Sequence, residues 1–233
     1  MRWAVIRFPG SHCAVDVEHA IDVLRLGEAR VLRGDAVSLE GADAVVLPGG
    51  FSHGDYLRPG AIAARAPVMA AVREFARRGG PVLGICNGFQ ILCEAGMLPG
   101  ALTVNRRRRF VCQDVNLRVE RADLPFTRGY RPGEVIVWPI AHEQGRFVAE
   151  PRTLARIEDQ GQVVLRYSDP GGVLDDRFNP NGSAGAIAGV ANDRGNVLGV
   201  MPHPERAVDP RLGPTDGARL FTALADVWVG SER

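Results

Sequence analysis

The segment Gly84-Ile85-Cys86-Asn87-Gly88 has the Gly-x-nucleophile-x-Gly form of a strand-to-helix elbow, with cysteine at the nucleophile position. Glycines flank such a turn because it is too tight for side chains, and the turn leaves its nucleophile at the top of a sheet. The apolar run Pro81 to Ile85 precedes it as a strand, and Phe89 to Ala95 follows as a helix. A cysteine at the start of a helix also meets the partial positive charge there, which favours the thiolate, the attacking form. Cys93, seven residues on, reads as a small core residue, and Cys13 and Cys112 lack any comparable setting.

A thiolate that attacks an amide needs a partner to protonate the leaving ammonia. The segment Met201-Pro202-His203-Pro204-Glu205-Arg206 offers one. Each proline holds its preceding residue away from helix, so an extended reading places His203 and Glu205, two residues apart, on one side. A carboxylate there accepts the second imidazole N–H, sets the tautomer and stabilises the imidazolium. Cys86, His203 and Glu205 thus read as a nucleophile, an acid/base and its orienting group. The developing oxyanion needs two fixed donors. The backbone N–H of Asn87 is one, and Leu47-Pro48-Gly49-Gly50-Phe51, a strand end with paired glycines, supplies the other through Gly50.

These groups require a rigid frame. Short apolar runs alternate with amphipathic patterns: strands at Trp3 to Phe8, Ala29 to Leu32, Ala44 to Leu47 and Pro81 to Ile85, and helices at Ala14 to Leu26 and Ala61 to Arg78. Beyond Thr103 the strand signals dominate, at Phe110 to Val119, Glu134 to Trp138, Val163 to Tyr167, Ile187 to Ala191 and Val197 to Met201, before a closing helix at Thr215 to Trp228. The expectation is an α/β fold of three layers, an open, mostly parallel sheet with helices on both faces and added antiparallel strands. With no repeat and no low-complexity linker, residues 1–233 read as one domain.

Composition narrows the chemistry further. The 28 basic residues are all arginine, so neither a P-loop lysine nor a Schiff-base amine exists in the sequence. A net charge of +1 supplies no general field for nucleic acid or anionic membranes, and no apolar run reaches spanning length, so the expected compartment is the cytoplasm. The four cysteines include no Cys-x-x-Cys pair, which points to no structural metal. Arg106 to Arg109 read as a solvated loop or a phosphate or partner contact, and His142 as a solvated or interface residue with no chemical role.

With Phe8-Pro9-Gly10-Ser11, Gly49-Gly50-Phe51-Ser52 and Gly54-Asp55-Tyr56-Leu57-Arg58, the elbow and the His-Pro-Glu segment resemble the class I (triad) glutamine amidotransferases, and among them the small glutaminase subunits of purine biosynthesis. The likeness spans nearly the whole chain and departs from the family pattern at His12, His53, Glu143 and Gln144. It implies L-glutamine as substrate, a γ-glutamyl thioester on Cys86 and a substrate-holding role for Gln90 at its amino acid end. It also implies no cofactor in this chain. Ammonia would go to a large synthetase subunit that uses ATP and Mg on formylglycinamide ribonucleotide, with a small third subunit. The elbow alone is also compatible with another cysteine hydrolase on this fold, or with a non-catalytic subunit.

Overall fold

The computed structural model describes residues 1–231. The first half of the chain alternates strand and helix: β1 (Arg2–Arg7), α1 (Ala14–Val23), β2 (Glu28–Arg33), β3 (Ala44–Leu47), α2 (Val68–Arg77), β4 (Val82–Ile85) and α3 (Asn87–Glu94). The second half adds β5 (Ala101–Thr103), β6 (Val111–Val119), β7 (Val135–His142), β8 (Arg146–Val148), α4 (Pro151–Asp159), β9 (Val163–Ser168), β10 (Ile187–Ala191), β11 (Val197–Val200) and α5 (Ala218–Ser231).

One nine-stranded sheet runs β2-β1-β3-β4-β11-β10-β9-β6-β7. From β2 to β11 neighbouring strands are parallel, and from β11 to β7 they are antiparallel. Every residue of β3, β4 and β11 is buried, as expected of strands covered on both faces. The strand-rich second half therefore extends the first sheet. β5 and β8 form a separate antiparallel pair that the periodicity does not announce, since each has three residues.

The strand order reverses beside β1, which has β2 on one flank and β3 on the other. Such a reversal opens a crevice at the carboxyl ends of the strands, the usual ligand position in open α/β sheets. The loops that follow β1, β3, β4 and β11 carry Pro9 to Cys13, Gly49 to Phe51, Cys86 and Met201 to Glu205. All the expected reacting groups are thus delivered to one end of the parallel half.

Three elements differ from the sequence expectation. The helix expected over 61–78 is broken into a 3-10 turn at Ala63–Arg65 and α2, because Ala66 precedes Pro67 and is extended, at ψ 148°. The strand expected to end at Trp138 continues as β7 to His142 through Pro139, which an edge strand tolerates because it needs fewer ladder donors. Helix α4 carries a charged outer face with only Ile157 buried, a weak apolar signal in the sequence.

Candidate active site

Cys86 sits between β4 and α3 with φ 51° and ψ −104°, a conformation that costs a non-glycine residue about 1–3 kcal/mol and is held by its surroundings. Its N–H donates to Val200 O on β11 at 2.7 Å. The flanking glycines are demanded by packing. A Cβ on Gly88 would lie 1.9 Å from Leu47 O, and one on Gly84 would lie 2.7 Å from Gly88 O. The bare backbone lets α3 press against β3 and β4, which points its first turn at the cysteine.

His203 and Glu205 are both buried, and His203 Nδ1 lies 2.7 Å from Glu205 Oε1. The local geometry differs from simple strand alternation. His203 keeps an open backbone, φ −105° and ψ 85°, but Pro204–Arg206 form a 3-10 turn that carries the carboxylate back to the ring. The ring is anchored from below by His203 N–H, which donates to Pro139 O at 2.8 Å. Burial opposes charge on the imidazole, but the Glu205 carboxylate and the Cys86 sulfur outweigh it and raise its pKa, favouring imidazolium. His203 Nε2, the nitrogen not used by Glu205, is buried without a partner.

Three side chains from separate loops converge beside Gly49. An atom at its Cβ position would lie 2.9 Å from His203 Cε1, 3.2 Å from Cys13 Sγ and 3.4 Å from Cys86 Cβ. Only glycine leaves that space open. A cavity of about 450 Å³ lies over this point, and its walls include Cys13, Gly50, Asp55, Cys86, Gln90 and His203. A larger apolar cleft of about 780 Å³ adjoins it through His12 but has no cysteine on its walls.

The two backbone N–H groups expected as oxyanion donors are unspent. Phe51 N–H is spent on Gly10 O at 2.9 Å, whereas the N–H groups of Gly50 and Asn87 meet no protein acceptor among the described residues. Gly50 has φ 138° and packs on Gly10 O, so a side chain there would be excluded. The Asn87 side chain organises the floor instead: Oδ1 accepts from Ser52 N–H at 3.1 Å, and Nδ2 donates to Gln90 Oε1 at 2.8 Å and Asp55 Oδ1 at 3.3 Å. Gln90 Nε2 in turn donates to Gln144 O at 2.7 Å. Gln90 therefore reaches the cavity wall, tied to both neighbours.

Asp55 and Cys13 are site residues to which sequence reasoning gave no role. Asp55 is half-buried, and burial, opposed by the Asn87 hydrogen bond, raises its carboxyl to about 6. Its φ of 55° follows His53 at 53° and Gly54 at 72°, a tightly coiled loop that turns the carboxylate inward. Cys13, His203 and Glu205 each place one ligand-type atom within 4.8 Å of the others. The set resembles a metal centre in composition only: Nδ1 of His203 is committed to Glu205, and the Arg206 guanidinium lies 3.1 Å from Cys13 Sγ. A cation already stands where a metal would be drawn.

His142 corrects the expectation of a solvated or interface residue. It is 3% exposed, packed on Gly145, and burial, followed by the charge on His203, lowers its pKa to about 4. It is a neutral wall of the cavity. In the arginine run, Arg106 pairs with Asp176 at 2.5 Å while Arg107, Arg108 and Arg109 are exposed.

The model of the CobB/CobQ-like glutamine amidotransferase domain matches residues 1–217. The chain is 57% identical to the phosphoribosylformylglycinamidine synthase subunit PurQ of Gloeobacter violaceus over 96% of this chain and 97% of the relative. It is 54% identical to that of Thermus thermophilus, again over 96% and 97%. Among solved structures, the PurLQS structure from Thermotoga maritima includes a chain that superposes with a TM-score of 0.86 at 44% identity, covering 97% of this chain and 98% of that one. With the domain match over residues 1–217 and these relatives, the chain belongs to the CobB/CobQ-like glutamine amidotransferase family, among the PurQ subunits of phosphoribosylformylglycinamidine synthase.

Proposed function

We propose that residues 1–233 act as one glutaminase domain, that Cys86, His203 and Glu205 carry its chemistry, and that its ammonia is used by a separate ATP- and Mg-dependent PurL-type synthetase, with a small PurS-type third subunit. The observation that carries this reading is the buried His203–Glu205 pair, 2.7 Å apart, facing the elbow cysteine across one cavity. Cys86 sulfur attacks the side-chain carboxamide carbon of L-glutamine. The negative charge on the oxygen is met by the N–H groups of Gly50 and Asn87. His203, as imidazolium, gives its Nε2 proton to the departing nitrogen, and ammonia leaves a γ-glutamyl thioester on Cys86. His203, now neutral, takes a proton from water, whose oxygen attacks the thioester and releases glutamate and the thiolate. Glu205 holds the ring in one tautomer through both steps.

The substrate's other end carries an ammonium and a carboxylate. Gln90 and Asp55 on the cavity wall meet it, Asp55 as the counter-charge for the ammonium. Because burial raises the Asp55 carboxyl to about 6, that counter-charge is present above pH 6 and lost as pH falls through it. The KM for glutamine should therefore rise as pH falls below about 6. Asp55→Asn should raise KM roughly tenfold at pH 7.5 with kcat within about twofold, and should remove that pH dependence of KM. A lowered kcat with unchanged KM would assign Asp55 elsewhere.

The synthesis itself lies outside this chain, which lacks any lysine for a P-loop. No helix among the described residues is long and apolar enough to cross a membrane, in keeping with a cytoplasmic assembly. Mixing the chain with a formylglycinamide ribonucleotide synthetase, ATP, Mg and glutamine tests the assignment. Formylglycinamidine ribonucleotide should form with one glutamate per turnover, and glutamate release without that product would overturn the acceptor.

A further inference from the structure

Glu205 uses only one carboxylate oxygen on His203. Its Oε2 is buried with no hydrogen-bond partner among the described residues, although the residue is 1% exposed. A buried carboxylate oxygen without a donor is costly, and native structures seldom leave one so. A thiol stands close by without a hydrogen bond to it: Cys13 Sγ lies within 4.8 Å of a Glu205 oxygen and of a His203 ring nitrogen.

The other neighbours of this sulfur decide where its proton points. Arg206 Nη2 donates to Cys13 Sγ at 3.1 Å, so the sulfur is already an acceptor on that side. The same guanidinium is fixed by Nε, which donates to Asp16 Oδ2 on α1 at 3.0 Å. Arginine can only donate, and His203 Nδ1 gives its proton to Glu205. Within this cluster the Glu205 carboxylate is the acceptor open to S–H. Burial, then the charge of Glu205, push the Cys13 thiol up to about 12, so it keeps its proton at neutral pH.

We propose that Cys13 is a positioning residue of the triad: its thiol, within 4.8 Å, closes on Glu205 Oε2 as the donor that this oxygen lacks, and the relay Asp16, Arg206, Cys13, Glu205 holds the carboxylate in the plane that His203 needs. The relay ties the first turn of α1 to the turn after β11, across 190 residues or more of sequence. It rests on the triad reading above, and a serine, with a stronger donor at the same place, should serve in its stead.

The test uses the chain reconstituted with its synthetase. Cys13→Ala should lower glutamine-dependent kcat about tenfold or more, as expected from losing a hydrogen bond to a carboxylate, with KM within about twofold. Cys13→Ser should recover kcat to within about threefold of the parent. Melting temperature and co-elution with the synthetase report folding, and a Cys13→Ala chain that fails them is replaced by Cys13→Thr against Cys13→Val, a near-isosteric pair with and without a hydroxyl donor. Independently of activity, proton NMR of the free chain should show the His203 Nδ1–H resonance downfield in the parent and in Cys13→Ser, and shifted or exchange-broadened in the donor-less variant. Equal kcat in parent and Cys13→Ala, serine no better than alanine, or an unmoved Nδ1–H signal would each overturn the proposal. A parent complex that makes no product from glutamine, while the resonance responds as stated, would overturn the glutaminase reading instead.

Discussion

Replacing Cys86 by alanine should lower glutamine-dependent synthesis by the reconstituted complex by roughly 10⁴-fold or more, while synthesis supplied with free ammonia continues at the parent rate. The size follows from the role. In the proposed mechanism Cys86 supplies the bond that splits amide cleavage into two steps, and no other sulfur is placed to replace it: Cys93 is packed in the core side of α3, where burial drives its pKa above the ordinary thiol range, and Cys112 is exposed. Cys13 is close, but it is protonated and engaged with Arg206. The separation of the two ammonia sources is the informative part. Loss of both would mean that Cys86 supports assembly rather than cleavage, and steady-state assays with glutamine and ammonium chloride distinguish the outcomes.

Glu205→Gln is expected to cost roughly 10³-fold in kcat, with little change in KM. Glutamine keeps the shape of the side chain and can still meet Nδ1, but it can present its amide N–H there and so stabilise the wrong tautomer. The charge matters as much. In the parent the carboxylate opposes burial and holds His203 protonated above its ordinary pH range. That protonation is complete below the ordinary histidine pKa and lost as pH rises through the elevated one, so removing the charge brings the loss to lower pH. The alkaline limb of the kcat profile should move down in Glu205→Gln, and a profile that differs only in height would count against the imidazolium as proton donor.

The residues of the candidate site were legible because their signals are local. The Gly-x-Cys-x-Gly elbow needs only a preceding strand, a following helix and two absent side chains, and both absences are enforced by backbone contacts at Gly84 and Gly88. The His-Pro-Glu segment was read correctly as a pair that meets, but for a different local reason, since a 3-10 turn and not strand alternation returns Glu205 to His203. The parallel half of the sheet followed from short buried runs, and Ala44–Leu47 has the bounds expected. What periodicity could not show was contact between distant segments. Cys13 meets Arg206 across 193 residues, and nothing near Cys13 in the sequence marks it. His142 looked like a loop residue because it stands before Gly145 and beyond the strand expected to end at Trp138, yet that strand runs on through Pro139 at the sheet edge, and the residue is buried. Asp55 lies in a loop of positive φ angles whose inward turn is a tertiary outcome.

The most direct measurement is the mass of the Cys86 peptide after the reconstituted complex is treated with an electrophilic glutamine analogue. A single adduct on Cys86, formed in step with loss of glutamine-dependent synthesis and prevented by excess L-glutamine, is the predicted result. Inactivation with Cys86 unmodified, or an adduct that glutamine does not prevent, would contradict attack on the substrate by this sulfur.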